Sequence, residues 1–163
     1  MSALPDKRAV HAALCAQLEA EVSRAAESQQ AVQAAVTHEE SRAENDKDTR
    51  AIEASYLARG QARRVAELSE ALARVSSMPL RAFGPESPVA LSALLELSDD
   101  ERSAVYFIAP GGGGLEIRVQ GATLKVLTPG SPLGRALLGR CEGDELEVRT
   151  PQGLRHCELL RVS

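Results

Sequence analysis

The sequence predicts an α+β chain. An N-terminal antiparallel coiled-coil helical hairpin spans residues 1–78, a linker spans 79–88, and a small C-terminal antiparallel β domain with one short helix spans 89–163. Three observations lead there. Residues 1–78 hold one proline (Pro5) and one glycine (Gly60), whereas the rest of the chain holds seven prolines and eleven glycines, which is the chemistry of turns. Ala51, Ala54, Ala58, Gln61, Val65, Leu68, Leu72 and Val75 recur in alternating steps of three and four, the seam of a coiled coil. Beyond Val89 the apolar residues come in short runs bounded by Gly, Pro and Asp, as strands do.

Taken in order, Leu4-Pro5-Asp6-Lys7 starts the first helix, where a proline is tolerated because the first N–H groups have no helical partner. That helix is expected to run to about Thr37, with Val10, Leu14, Leu18, Val22, Val32 and Val36 forming a narrow stripe at helical spacing. Glu39 to Asp48 then gathers the carboxylates Glu39, Glu40, Glu44, Asp46 and Asp48 around Arg42 and Lys47, at the place where the hairpin reverses. The second helix follows, with its large seam residues far from this tip and alanines near it. Two helices of about 30 residues at 1.5 Å per residue make an arm of roughly 45 Å, longer than the neighbouring domain needs for its own packing. Pro79 ends the second helix after Ser76-Ser77-Met78.

In the C-terminal half, strands are expected over 89–97, 102–109, 115–119 and 124–127. The run Gly111 to Gly114 reads as a mobile β turn; it lacks the Gly-Lys-Ser/Thr that a phosphate loop needs. Ser131 is placed to cap a short helix, with Pro132 at its first position and Gly139 at its stop. Gly143-Asp144 is a turn, and two strands joined at Thr150-Pro151-Gln152-Gly153 form a closing hairpin.

Composition narrows the function. The formal net charge of −4 is spread evenly over both halves, so neither half is a basic nucleic-acid binder. The aromatic residues are Tyr56, Phe83, Tyr106 and Phe107, too few for a base-stacking platform. Cys15, Cys141 and Cys157 form no C-x-x-C pair, and His11, His38 and His156 fit no nucleophile or metal pattern, so no zinc site, disulfide framework or catalytic triad is indicated. No stretch approaches the roughly 20 apolar residues of a membrane span, and a soluble, cytoplasmic, monomeric protein is expected.

Residues 128–162, TPGSPLGRALLGRCEGDELEVRTPQGLRHCELLRV, carry a Ser-Pro helix closed by glycine, a Gly-Asp turn and a Thr-Pro-x-Gly hairpin. In these motifs the chain resembles the C-terminal domain of the GreA/GreB family of bacterial transcription elongation factors. The resemblance implies an FKBP-like β domain that docks on RNA polymerase, with contact through Ser131, Pro132, Leu133 and Leu137. It implies a coiled coil that enters the polymerase secondary channel. It further implies that tip carboxylates help hold a catalytic Mg²⁺ shared with the polymerase, so that the polymerase cleaves backtracked transcripts while this protein is not an enzyme by itself. Magnesium suits such a role, being a hard cation that takes one or two carboxylates and keeps several waters.

Aligned back from Arg64-Val65-Ala66-Glu67-Leu68 without gaps, Glu44 falls on the family's first tip acid, Lys47 on its second, and Asn45 on its apolar tip residue. A lysine cannot ligate magnesium. Glu44 with Asp46 or Asp48 is therefore the expected catalytic and metal-holding set. Arg59, Arg63 and Arg64 are candidates for contact with nascent RNA, or else a solvated helix face. Three alternatives stay open: a channel-binding regulator or inhibitor without cleavage activity, a tip whose acids only keep a turn soluble, and prolyl isomerisation by the β domain, which requires an aromatic-lined pocket.

Overall fold

The computed structural model describes the backbone of residues 3–42 and 49–163, and the side chains of 3–38 and 49–163. Two long helices, α1 (Lys7–Arg42) and α2 (Thr49–Ser76), precede strands β1 (Leu94–Asp99), β2 (Ser103–Ile108), β3 (Glu116–Val119) and β4 (Ala122–Leu127). A short helix α3 (Pro132–Leu137) and strands β5 (Glu145–Thr150) and β6 (Gly153–Val162) complete the chain. The α+β class and the helical hairpin are as expected. The chain divides into two compact units, Ala16–Leu72 and a second formed by Met1–Cys15 with Ala73–Ser163, so the helix ends at the base of the arm belong with the sheet.

Within Ala16–Leu72 the two helices run antiparallel, Glu21 of α1 lying 3.9 Å from Arg64 of α2. Every α2 seam position from Ala51 to Leu72 is buried or half-buried, while most residues between them are exposed. The seam is thin. Leu18, Val36 and Leu68 are the buried apolar side chains among the described residues of this unit.

In the other unit, α1 starts with Asp6 as its cap, the Asp6 Oδ2 accepting from the Ala9 N–H at 3.0 Å, and Pro5 stands just outside the cap. The Asp6 N–H donates to Gln120 Oε1 (3.0 Å) in the turn between β3 and β4. That turn has Gln120 at φ 51 and Gly121 at φ 79, the left-handed pair that a two-residue hairpin favours. At the far end of α2, Pro79 stops the helix, and the ring Nε2 of His11 lies 2.7 Å from the Val75 carbonyl oxygen.

The six strands form one sheet in the order β3-β4-β2-β1-β6-β5. All pairings are antiparallel except β2 with β4, which is parallel. Local pattern does not carry that pairing, because β3 intervenes in sequence and lies outside β4 in space. On one face Leu95, Leu97, Ile108, Leu146, Val148, Leu159 and Val162 are buried with Leu137 of α3. On the other, Leu94, Phe107, Leu124 and Val126 are buried, in the same unit as the buried Val10, Leu14, Val75 and Met78 of the helix ends. Each such buried side chain contributes on the order of 2 kcal/mol.

Two expected elements differ. The strand expected from Val89 begins only at Leu94, because Ser92 sits at φ 72 and turns the chain; its hydroxyl, fully buried, accepts from the Arg81 N–H at 2.9 Å. The first helix extends beyond Thr37 to Arg42. The glycine run 111–114 is a turn tied to β4, with Gly114 N–H donating to the Val126 carbonyl at 2.9 Å and Val126 N–H to the Leu115 carbonyl at 2.9 Å. No helix among the described residues is long and apolar enough to cross a membrane.

Candidate functional site

The tip acids Glu44, Asp46 and Asp48 lie outside the described residues. Among the described residues no group of His, Cys, Asp and Glu is arranged to hold a metal. The arginines proposed for RNA are on the surface of α2. Arg63 pairs with Glu67 (2.9 Å), Arg64 lies 3.9 Å from Glu21, and the Arg59 guanidinium lies 5.9 Å from the centre of the Tyr56 ring. Arg59 and Arg63 stand one turn apart on α2, each beside a different neighbour.

The proposed docking residues are gathered. Ser131 Oγ accepts from the Gly134 N–H at 3.0 Å and donates to the Thr128 carbonyl at 2.8 Å, so one hydroxyl closes the loop and caps α3. Pro132 occupies the first turn of the helix, and Gly139 ends the segment at φ 82. Gly134 cannot be larger, because a Cβ there would stand 2.1 Å from the Thr128 carbonyl oxygen. Leu137 lies one turn beyond Leu133 on the same side of α3. It is fully buried in the sheet core beneath α3.

Ser131, Pro132 and Leu133 form one wall of a cleft of about 670 Å³ on the α3 face of the sheet. Its floor is Leu97, Tyr106, Leu127 and Cys157, with Val148 of β5 alongside. Around it stand Arg102, Lys125, Arg149 and Arg155, all exposed, and a single acid, Asp99. Backbone N–H groups of Arg102 and Glu101 donate to Asp99 in the turn after β1 and hold its carboxyl below the usual range. Arg155 reaches the other oxygen of Asp99 at 3.4 Å.

Burial raises the Cys157 thiol above its ordinary value, and the Asp99 charge adds to this. Burial raises the Tyr106 phenol likewise. Both stay neutral near neutral pH, which makes the floor an apolar surface and Cys157 a poor nucleophile. Tyr106 is the one aromatic residue lining the cleft, so the wall of aromatics expected of a prolyl-isomerase pocket is missing from it. The arrangement suits binding. Sequence reasoning missed its four cations because they come from a turn and three different strands; the signal available was their absence from any helix face.

Comparison with known proteins adds the following. Residues 93–163 match the family model for the C-terminal domain of transcription elongation factor GreA/GreB. Transcription elongation factor GreA of Syntrophobacter fumaroxidans is 46% identical over 50 residues, 31% of this chain and 30% of that protein. GreA of Hyphomonas neptunium is 35% identical over 101 residues, 61% of this chain and 60% of that protein. The matched segments thus span less than two thirds of these relatives. Among solved structures, the GreA factor homolog 1 (Gfh1) protein of Thermus thermophilus is 20% identical, with a TM-score of 0.39, over 91% of this chain and 94% of that one. The resemblance read from residues 128–162 is borne out over the whole C-terminal domain.

Proposed function

We propose that this chain, whose C-terminal domain is of the GreA/GreB kind, is an RNA polymerase-binding transcription elongation factor. The observation that carries the reading is the match over residues 93–163 on a chain that also has a long helical hairpin. The C-terminal domain docks on the polymerase through the wall formed by Ser131, Pro132 and Leu133, and the arm enters the secondary channel. Glu44 with Asp46 or Asp48 offers hard oxygen donors, the chemistry that suits Mg²⁺ shared with the acids of the polymerase. The metal, when bound, stabilises the attacking and leaving oxygens of phosphodiester hydrolysis. The chain's own residues hold and orient; the reaction belongs to the polymerase.

Lys47 and Asn45 favour a second reading, in which the protein occupies the channel and regulates or inhibits the polymerase without promoting cleavage. The test is RNA cleavage in a stalled, backtracked polymerase complex with Mg²⁺. Release of short 3′ fragments should be stimulated by the protein and fall at least about tenfold in Glu44→Ala or in the Asp46→Ala/Asp48→Ala double variant, a rise of about 1.4 kcal/mol or more in the barrier. Binding to polymerase without stimulation sinks the cleavage reading and leaves the regulator. Absence of binding sinks both.

A further inference from the structure

Lys7, the first residue of α1, holds its amine in surroundings without an acid partner. Nζ donates to the Arg81 carbonyl and lies 4.7 Å from the centre of the Phe83 ring, and the Arg81 guanidinium lies 5.5 Å from the centre of the same ring. Two cations thus share one aromatic ring. Among the described residues neither has a carboxylate within ion-pair distance. Asp6, the adjacent acid in sequence, has its Oδ2 turned to the Ala9 N–H. Lys7 is half-buried, and it stands at the positive end of a 36-residue helix, so burial and the helix both work against an ammonium there, and the helix favours an anion. The other lysines differ. Lys125 is exposed and the strand register sets it opposite Glu116, while Lys47 lies outside the described residues.

We infer that the Lys7 amine is a site of carbamate formation with carbon dioxide, the carbamate pairing with the Arg81 guanidinium and keeping one N–H on the Arg81 carbonyl. The unprotonated amine adds to the carbon of carbon dioxide, an N–C bond forms as one C–O π pair moves onto oxygen, and the proton that nitrogen loses passes to water. The exposed Arg81 side chain can turn from the ring toward the new carboxylate. Two features select carbon dioxide over an acyl donor. An acyl group would cancel the charge of Lys7 and leave Arg81 without a partner, whereas a carbamate supplies the missing anion. Carbon dioxide is also small enough to reach a half-buried nitrogen. The reacting form is present, because burial lowers the Lys7 pKa from 10.5 to about 8, so that roughly a tenth of the amine is uncharged at neutral pH, where an ordinary lysine has under about a thousandth. The inference concerns the start of α1 and does not require the polymerase reading.

The test is chemical trapping on the full chain. The protein is equilibrated at about pH 8 with isotopically labelled bicarbonate and dissolved carbon dioxide, ethylated with a trialkyloxonium reagent, digested and mapped by mass spectrometry. A free tripeptide in the same tube, whose α-amino group also forms a carbamate, shows that capture works. The labelled ethoxycarbonyl group should be at least about tenfold more abundant on Lys7 than on Lys125. Arg81→Glu should reduce it on Lys7 about threefold or more, by giving the ammonium a carboxylate partner and repelling the carbamate, and Arg81→Gln should reduce it in the same direction by less. Arg118→Glu, exposed on β3, should leave it unchanged; an unchanged thermal transition shows that each variant is folded. Equal labelling of Lys7 and Lys125, an unlabelled Lys7 beside a labelled tripeptide, or indifference to both Arg81 variants overturns the inference. Labelling of Lys7 in a protein that fails to bind polymerase leaves this site standing without the proposed function, and the converse leaves that function standing without the site.

Discussion

The sheet unit and the arm hold themselves together on different plans. In the sheet unit, apolar residues of β1 and β2 are buried on both faces of one layer, and α3 closes one face with Leu137. In Ala16–Leu72 the described core is a single line, with Leu18, Val36 and Leu68 buried and alanines filling the rest of the seam. A side chain in the first region has neighbours on all sides. One in the second has neighbours across a single seam and otherwise relies on the helix it belongs to. A long arm can therefore be slender only by giving up packing per residue, and its sequence is correspondingly freer on the outer face.

The largest effect expected from this difference is in leucine truncation. Leu137→Ala should destabilise the sheet unit by about 4 kcal/mol, because the cavity is enclosed by strands that cannot collapse into it. Leu68→Ala should cost about 2 kcal/mol, since the facing helix can close on the gap. Urea unfolding followed by far-ultraviolet circular dichroism measures both. Equal costs would break the comparison by showing the arm to be as tightly packed as the sheet.

The sequence made the arm easier to read than the sheet, for a physical reason. A coiled coil is a local pattern, and the positions from Ala51 to Val75 that recur in heptads are those the structure buries or half-buries. The cap at Ser131 and the stop at Gly139 were equally local, each fixed by one hydrogen bond or one backbone angle. The parallel pairing of β2 with β4 was not readable, since nothing in either strand names its partner. Val89 to Ala93 looked extended on apolar content alone, and only the left-handed Ser92 makes it a turn. The short helix illustrates the same limit. Leu133 and Leu137 share one side of it, yet Leu133 opens on the cleft while Leu137 is sealed in the core, a difference set by β5 and the sheet beneath.

A second, smaller contrast uses one substitution in both regions. Gly134→Ala should destabilise by roughly 2 kcal/mol, because the added methyl meets the Thr128 carbonyl and the Ser131 hydroxyl, and the cap of α3 has to open. Gly60→Ala on α2 should stabilise by about 0.5–1 kcal/mol, since nothing lies within 4 Å of the new methyl and a glycine inside a helix costs backbone entropy. Thermal unfolding of the two variants, compared with the parent, should move in opposite directions. A destabilising Gly60→Ala would mean that the outer face of the arm is more constrained than its open surroundings indicate.

The smallest effect lies at Lys7, where α1 begins within the sheet unit. Burial lowers its pKa from 10.5 to about 8, although Nζ donates to the Arg81 carbonyl and lies 4.7 Å from the centre of the Phe83 ring. Between about 8 and 10.5 the unfolded chain therefore holds more protons than the folded one, and this group's contribution makes stability rise with pH across that window. Cys157 and Tyr106 act in the opposite sense. Their folded-state values are raised from 9.0 and 10.0, so the folded chain keeps protons the unfolded chain has lost, and stability falls as pH climbs past those values. The profile of the parent protein mixes the three, but the difference between parent and Lys7→Met removes the two shared groups. That difference should favour the variant most below pH 8 and shrink through the window, by less than about 1 kcal/mol because Lys7 is only half-buried and solvent screens it. Arg63→Met, with a side chain 82% exposed on the arm, should give a difference that does not vary with pH over the same range. A flat difference for Lys7→Met as well would mean that the start of α1 is as open to water as the arm, and the contrast between the two regions would then begin further along that helix than the sheet unit's own boundary at Cys15.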